Sequence, residues 1–150
     1  MMSQIDLSYF AGVFDGEGCI SINKRIRNGR PLFQLVCVLL MAEPEFLAKF
    51  HYLFGLGHIS KTKRQKETHK ERVRWSMGDS QAVEFIKMIY PYLRLKKMEA
   101  DVALKYHKTF DKKIYKKVGV PENVLKIRQS CMEELSAIKK TSRHLEMQLK

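Results

Sequence analysis

Several absences narrow what this 150-residue chain can be. No apolar run reaches the roughly 20 residues that span a bilayer, and the N-terminus has no hydrophobic signal-peptide segment. The cysteines, Cys19, Cys37 and Cys131, show neither a Cys-x-x-Cys spacing nor matched histidine pairs, so the sequence supports neither a zinc site nor a disulfide framework. We therefore expect a soluble, intracellular protein with no membrane partner and with free thiols.

Acidic residues are also scarce. The chain has 16 Asp and Glu against 28 Lys and Arg, which gives a net charge of +12 and a pI near 9.7. Such an excess on a chain that is 45% hydrophobic favours a polyanionic partner, with nucleic acid as the first candidate. The length predicts one domain over residues 1–150.

The stretch YFAGVFDGEG, residues 9–18, combines an apolar run with two carboxylates and glycines. Asp6 occupies an N-cap position, and apolar residues follow at the spacing of a helix of about two to three turns: Leu7, Phe10, Ala11, Val13 and Phe14. Asp15 and Glu17 then fall in the last turn. Acids there are disfavoured by roughly 0.3 to 1 kcal/mol each unless a positive charge compensates. The pattern indicates a binding site at this helix end.

The rest of the chain alternates strand pairs with helices. Period-2 patterns predict strands over 19–27 and 32–41 around the turn signal NGRP, and a second hairpin from 57–65 and 71–78. Helical spacing predicts helices over 43–55, 79–91, 97–108 and 122–149, and 111–121 is turn-like. This order favours an α+β fold in which helices cover one face of a four-stranded antiparallel sheet.

The open face of that sheet is predicted to be polar and basic. Strand parity turns seven apolar side chains toward the helices: Ile20, Ile22, Phe33, Leu35, Ile59, Val73 and Trp75. Arg, Asn and Gln read base edges, and Arg neutralises phosphates. The outward set is the predicted DNA-binding surface: Ser21, Asn23, Arg25, Arg27, Gln34, Ser60, Thr62, Arg64, Arg72 and Arg74.

The stretch FAGVFDGEG, residues 10–18, resembles the signature motif of the LAGLIDADG homing endonucleases and maturases. Further similarities follow in the family's order: CISI after the motif, FGLGHI at 54–59, Trp75, and PYLRLKKMEA at 91–100. Together they cover about 5–108, leaving a C-terminal helical extension at about 121–149. The resemblance implies an αββαββα core with a saddle-shaped sheet.

A single motif copy implies a homodimer that cleaves a pseudo-palindromic double-stranded DNA site with Mg²⁺ or Mn²⁺, as encoded by mobile introns or inteins. The eighth motif position, Glu17, would bind the metal with the backbone carbonyl of Gly16. Asp15 is the weaker metal candidate and is expected instead to cap the helix or to hydrogen-bond across the helix pair. Lys96, followed by Lys97, matches the family's catalytic cation. The motif helices would meet across the two-fold axis through Phe10, Ala11, Gly12 and Phe14.

One departure from the family bears on activity. Members often carry Gln or Asn near the end of the second strand, where it orders water around the metals, and Met41 stands at the matching position. A thioether cannot do that work. The same strand is apolar on both faces, so Val36, Val38 and Leu40 would face DNA, unless the register slips by one residue.

Two other questions stay open at this stage. The final helix carries an apolar stripe that predicts packing on the domain, with phosphate contacts or dimer support as alternatives: Val124, Ile127, Cys131, Leu135, Ile138, Leu145 and Leu149. The alternative functions are a maturase that binds intron RNA and a DNA-binding regulator that does not cleave.

Overall fold

The computed structural model describes residues 2–62 and 71–149. Its elements follow the order α1 (Gln4–Glu17), β1 (Gly18–Arg27), β2 (Arg30–Met41), α2 (Pro44–Phe54), β3 (His58–Lys61), β4 (Val73–Gly78), α3 (Asp79–Ile89), a 3-10 turn (Tyr90–Tyr92), α4 (Lys97–His107), α5 (Lys112–Val118) and α6 (Glu122–Gln148).

Helix α1 begins earlier than the sequence predicted. Ser3 is the N-cap, and its hydroxyl accepts from the backbone N–H of Asp6 while the Asp6 carboxylate accepts from the backbone N–H of Ser3. Asp6 is therefore the third helical residue of a capping box and not the cap itself. The helix is 14 residues long, one turn more than predicted.

The first hairpin turns at Asn28 and Gly29. Both have positive φ, 51° and 74°, and Arg27 pairs directly with Arg30. A two-residue loop with positive φ at both positions matches the right-handed twist of the strands it joins, and Asn-Gly is the sequence that best tolerates it. The turn therefore sets the register of β1 against β2, and this is the register that parity predicted.

The four strands form one antiparallel sheet in the order β1-β2-β4-β3, and the predicted α+β fold class is confirmed. The core lies between the sheet and the helices, and Trp75 is buried at its centre. The Trp75 ring lies 4.7 Å from Phe50 and 5.1 Å from Phe85, and its Nε1–H donates to the Leu56 carbonyl at 2.8 Å. The core face is thus an aromatic cluster whose one polar donor is satisfied.

The C-terminal third departs from the sequence prediction in two places. Part of the segment predicted as turn-like forms α5, whose Asp111 cap accepts from the Ile114 N–H. Helix α6 packs through Cys131, Leu135 and Ile138 as predicted. Three residues of the predicted apolar stripe do not pack on the core, because they are exposed: Ile127, Leu145 and Leu149.

The apolar stripe predicted that Ile127 is buried, but the next residue, Arg128, is buried instead. Its guanidinium donates to the Thr109 hydroxyl at 2.9 Å and the Thr109 carbonyl at 3.1 Å, and it lies over the rings of Tyr106 and Phe110. Hydrogen bonds and ring contacts thus replace the hydration that the charge loses. Within the described ranges, no helix is long and apolar enough to cross a membrane.

Candidate nucleic-acid interface and metal site

The face of the sheet opposite the helices carries a shallow groove of about 310 Å³. The strand register places Arg25 opposite Leu32, Asn23 opposite Gln34, and Ser60 opposite Arg74 across the ladder. These positions share one face because side chains alternate along each strand. The groove is lined by groups that can donate and accept hydrogen bonds: Asn23, Arg25, Gln34, His58, Ser60, Arg74 and Ser76.

The residues predicted for DNA binding fall on this open face where the structure describes them. Ser21, Asn23, Arg25 and Arg27 lie along β1, and Arg74 lies on β4. Thr62 and Arg72 extend the β3–β4 pair by one step, since the Thr62 N–H and hydroxyl both donate to the Arg72 carbonyl. Arg64 lies outside the described residues.

Two further groove residues escaped the sequence analysis. Neither His58 nor Ser76 belongs to the DNA-binding surface predicted from the sequence. The Ser76 hydroxyl lies 3.3 Å from the His58 Nε2, and the two residues are paired across β3 and β4. The alternation of side chains along a strand would have placed both residues on the open face, because His58 is two residues before Ser60 and Ser76 is two residues after Arg74.

Strand β2 places apolar side chains in the middle of the open face. Val36, Val38 and Leu40 point away from the core and are half-buried, whereas Cys37 and Leu39 are buried beneath the sheet. The register therefore does not slip. Met41 shares the core face with Leu39 and packs against the core, so it does not line the groove. On the open face, Val38 and Leu40 are the β2 residues nearest the beginning of β1, and Val38 is paired with Cys19.

The end of α1 is tied to the loop that precedes α4. The buried Asp15 carboxylate accepts from the Arg94 N–H at 2.7 Å and from the Lys96 N–H at 2.9 Å. Two backbone donors on one carboxylate hold the loop in a single position. Both oxygens of Asp15 are therefore engaged inside the chain, which leaves Glu17 as the accessible acid of this helix end.

Glu17 and Gly16 are exposed at the junction of α1 and β1. The chain enters β1 without a connecting loop because Gly18 has no side chain, and a Cβ there would overlap the Phe14 ring. No hydrogen bond or ion pair of the Glu17 carboxylate is found in the described part of the chain. The Glu17 carboxylate and the last carbonyls of α1 are hard oxygen donors of the type that Mg²⁺ prefers.

One chain does not complete a metal site. Among residues 2–62 and 71–149, no group of three His, Cys, Asp or Glu side chains could hold a metal ion. The oxygen chemistry at Glu17 fits a hard divalent cation, but one side-chain carboxylate is too few ligands by itself. A second copy of α1, or phosphate oxygens, would have to supply the rest.

The two candidate lysines point to different places. The Lys96 ammonium donates to the Asp15 carbonyl at 2.8 Å, so it supplies positive charge at the C-terminal end of α1. Lys97 turns to Tyr90, donating to its carbonyl at 3.2 Å and lying 4.2 Å above its ring. The Tyr90 hydroxyl donates to Asp101, which raises the pKa of Tyr90. Only Lys96 is therefore held at the end of the acidic helix.

The predicted interface residues of α1 are wrong for three of four positions. Phe10, Ala11 and Phe14 are buried in the core of their own chain, where Phe10 lies 4.4 Å from Phe50 and Phe14 lies 5.0 Å from Phe85. Side chains used inside the chain cannot cover a partner. Gly12 stays exposed. The exposed stripe of the helix has the spacing i, i+4, i+7 and i+11: Ile5, Tyr9, Gly12 and Gly16.

Helix α6 also reaches the neighbourhood of Glu17. The Lys139 ammonium lies 3.2 Å from the Sγ of Cys19, which is two residues after Glu17 on the open face. Cys19 is exposed, unlike Cys37 and Cys131. The sequence showed Lys139 only as a charged position beside the apolar stripe, so its proximity to the helix end required the fold to be known.

No protein-family model and no curated protein sequence matches the chain. Solved structures do. The homing endonuclease I-CvuI, in complex with its target in the presence of Ca, superposes with a TM-score of 0.72 at 16% identity, over 90% of this chain and 82% of that one. Another I-CvuI structure, crystallised with Mg, holds DNA that is not cleaved.

Two further structures extend the comparison. The archaeal intron-encoded homing endonuclease I-Vdi141I, complexed with DNA, gives a TM-score of 0.66 at 13% identity, over 91% of this chain and 96% of that one. The LAGLIDADG homing endonuclease I-SmaMI, bound to cleaved DNA, gives 0.66 at 12% identity, over 85% of this chain and 42% of that one. The chain has the fold of the LAGLIDADG homing endonucleases.

Proposed function

We propose that this chain is a site-specific endonuclease that hydrolyses phosphodiester bonds of double-stranded DNA. The observation that carries the proposal is the meeting of two features at one place. The exposed Glu17 and the Lys96 ammonium stand at the end of α1, and β1, which begins at the next residue, carries Asn23 and Arg25 of the groove. The structural relatives I-CvuI, in complex with its target, and I-Vdi141I, complexed with DNA, support a DNA-binding function.

The proposed enzyme is a homodimer on a pseudo-palindromic site, because each chain has one sheet and one acidic helix end. Gly12 and Gly16 expose backbone on one side of α1, with Ile5 and Tyr9 in the same stripe and 81% and 59% exposed. Exposed Leu95 belongs to the loop that Asp15 holds against this helix end. A second α1 packed on this stripe would bury these apolar groups and bring two Glu17 carboxylates together.

Glu17 and the carbonyl of Gly16 are the proposed ligands of Mg²⁺ or Mn²⁺, one set from each subunit. Such a cation, when bound, lowers the pKa of water and stabilises charge on phosphate oxygens. Asp15 has a positioning role in this proposal, because its carboxylate fixes the backbone from which Lys96 projects. Lys96 places its ammonium group beside the phosphate, where it stabilises negative charge that develops during hydrolysis.

The core at 5–108 and the extension at 121–149 are proposed to act as one unit. Helix α6 packs on α4 and lies along β1, with Lys24 donating to Gln129 at 2.9 Å and Lys105 bonded to Glu134 at 2.9 Å. Its Lys139 extends the basic surface next to Cys19. In this proposal helix α6 combines two of the three roles that the sequence left open, packing on the core and offering charge to phosphates.

A non-cleaving DNA-binding regulator is the second candidate, and one observation favours it. Val38 and Leu40 lie on the open face beside the beginning of β1. Neither side chain has a hydrogen-bonding group, so neither can order water around a metal. An RNA maturase needs only the basic face. The three functions differ in what they do to a duplex: the nuclease cuts it, the regulator binds it intact, and the maturase prefers structured RNA.

The test is a cleavage selection on randomised plasmid DNA with Mg²⁺, using wild type and Glu17→Gln. We expect wild type to recover a pseudo-palindromic site and the variant to bind that site with near wild-type affinity without cutting it. Glu17→Gln keeps the size of the side chain and removes the anionic ligand, and Glu45→Gln on α2 is the control for the same change elsewhere. Cleavage that survives in Glu17→Gln contradicts the assignment.

A further inference from the structure

The open face contains an apolar ridge that the hydrogen-bonding groups of the groove do not explain. The ridge consists of Val36, Val38 and Leu40 on β2, a strand that lies inside the sheet between β1 and β4. Polar groups stand on both sides, with Ser21 opposite Val36 on β1, and Ser76 opposite Val38 and Arg74 opposite Leu40 on β4. The apolar positions are thus surrounded by groups suited to DNA.

On the premise of the proposed DNA-binding function, we propose that this ridge contacts thymine C5-methyl groups in the major groove. The thymine methyl is the only apolar group that unmodified base pairs present there, whereas guanine and cytosine present only donors and acceptors at the same depth. Burying those polar edges against valine or leucine leaves them without hydrogen bonds, which is unfavourable. The ridge therefore selects for A·T pairs whose thymines face β2.

The geometry of the strand also predicts the spacing of the thymines. Alternate residues of a strand lie roughly 6.7 Å apart, and base pairs along one DNA strand are about 3.4 Å apart. The three ridge residues therefore match positions about two base pairs apart where β2 follows the groove. Leu40 and Val38 lie nearest the start of β1 and hence Glu17. The thymines fall in the inner part of each half-site, and Asn23, Gln34 and Arg25 contact the outer part.

The same ridge discriminates DNA from RNA. Uracil lacks the C5-methyl, and the major groove of an A-form RNA helix is too deep and narrow for side chains to read. An intron RNA would gain nothing from Val36, Val38 and Leu40. Tighter binding to an RNA stem than to the selected duplex is accordingly an outcome that overturns the inference.

The test replaces single thymines of the selected half-site with deoxyuridine, which keeps base pairing and removes only the methyl. Binding is measured with Ca²⁺ in place of Mg²⁺, so the measurement does not depend on cleavage. At two or three inner positions we expect the dissociation constant to rise about 4-fold for each methyl removed, from about 0.8 kcal/mol per buried methyl-sized group. Replacing thymines in the outer part of the half-site should leave the dissociation constant unchanged.

Val38→Ser provides the matched protein change, because serine has no side-chain methyl group that could contact the thymine methyl. At one inner position the difference between thymine and deoxyuridine should disappear in this variant. Val118→Ser, on the exposed surface of α5, should leave the difference intact. Guanine or cytosine at the inner positions, indifference to deoxyuridine everywhere, or an unchanged difference in Val38→Ser would each overturn the ridge proposal alone. Failure to select any bound duplex would overturn it together with the proposed function.

Discussion

The two faces of the sheet are built from the same strands but differ in what they contact. On the core face, Phe33, Leu35, Cys37 and Leu39 are almost completely buried, and Trp75 is enclosed by aromatic rings. On the open face, β1 and β4 present arginines and small polar groups around the half-buried valines of β2. The core face therefore accounts for stability, and the open face is available for binding. This division can be tested residue by residue.

The largest expected effect separates two neighbours on β4. Trp75→Ala should reduce the free energy of unfolding by about 3–5 kcal/mol, because it leaves a cavity among Phe50, Phe54 and Phe85. Arg74→Ala, one residue earlier on the opposite face, should change it by less than about 0.5 kcal/mol. Denaturant unfolding measures both variants. Equal losses would mean that the open face also contributes to the core.

The next effect concerns the exposed stripe of α1. A Cβ at Gly12 meets no atom of its own chain within 4 Å, so Gly12→Leu should fold normally as a monomer. We expect this variant to lose the dimer, because leucine would separate helices that approach through glycine. Displacing catalytic groups by about 1 Å can cost on the order of 10²-fold in rate. Analytical ultracentrifugation and cleavage assays measure both effects, and Gly12→Ala is the graded control.

A dimeric and active Gly12→Leu variant would show that α1 is not the subunit interface. A wild-type monomer that cuts both strands at stoichiometric concentration would contradict the half-site account as a whole. Either result would leave the two faces of the sheet as described but remove the reason for expecting a palindromic target.

A smaller effect is expected from single arginines of the open face. Arg25→Ala should weaken duplex binding by about 1–3 kcal/mol if the guanidinium contacts a guanine, and should relax the preference at that base pair. Lys87→Ala, on the exposed side of α3, removes one positive charge from the helix layer and serves as the control. Equal losses in the two variants would indicate that only the net charge matters.

The smallest expected effect concerns Ile59, at the edge of the core face. Ile59 is paired with Trp75 and was predicted to point toward the helices, yet it is 37% exposed on the edge strand β3. Because helices cover this edge only partly, Ile59→Thr should cost less than about 1 kcal/mol of stability. A loss as large as that of Trp75→Ala would extend the core to the sheet edge.

The sequence predicted what local patterns determine. Alternation along β1 assigned its faces, and the Asn28-Gly29 turn explains why the parity assumed for β2 agreed with the observed register. The buried side of α1 was not predictable from the apolar spacing, because Phe10 and Phe14 suit either a core or a partner. Sequence could not show that the Asp15 carboxylate binds the backbone of residues 94 and 96, since that contact joins segments about 80 residues apart.

The open face is proposed to bind duplex DNA, and binding through its arginines must depend on salt concentration. In a dimer the face presents two copies each of Arg25, Arg27, Arg72 and Arg74, enough to neutralise about 6 to 10 phosphates with the surrounding lysines. We predict that log K for the selected duplex falls linearly with log salt, with a slope of about −5 to −9. A slope near zero would contradict the account.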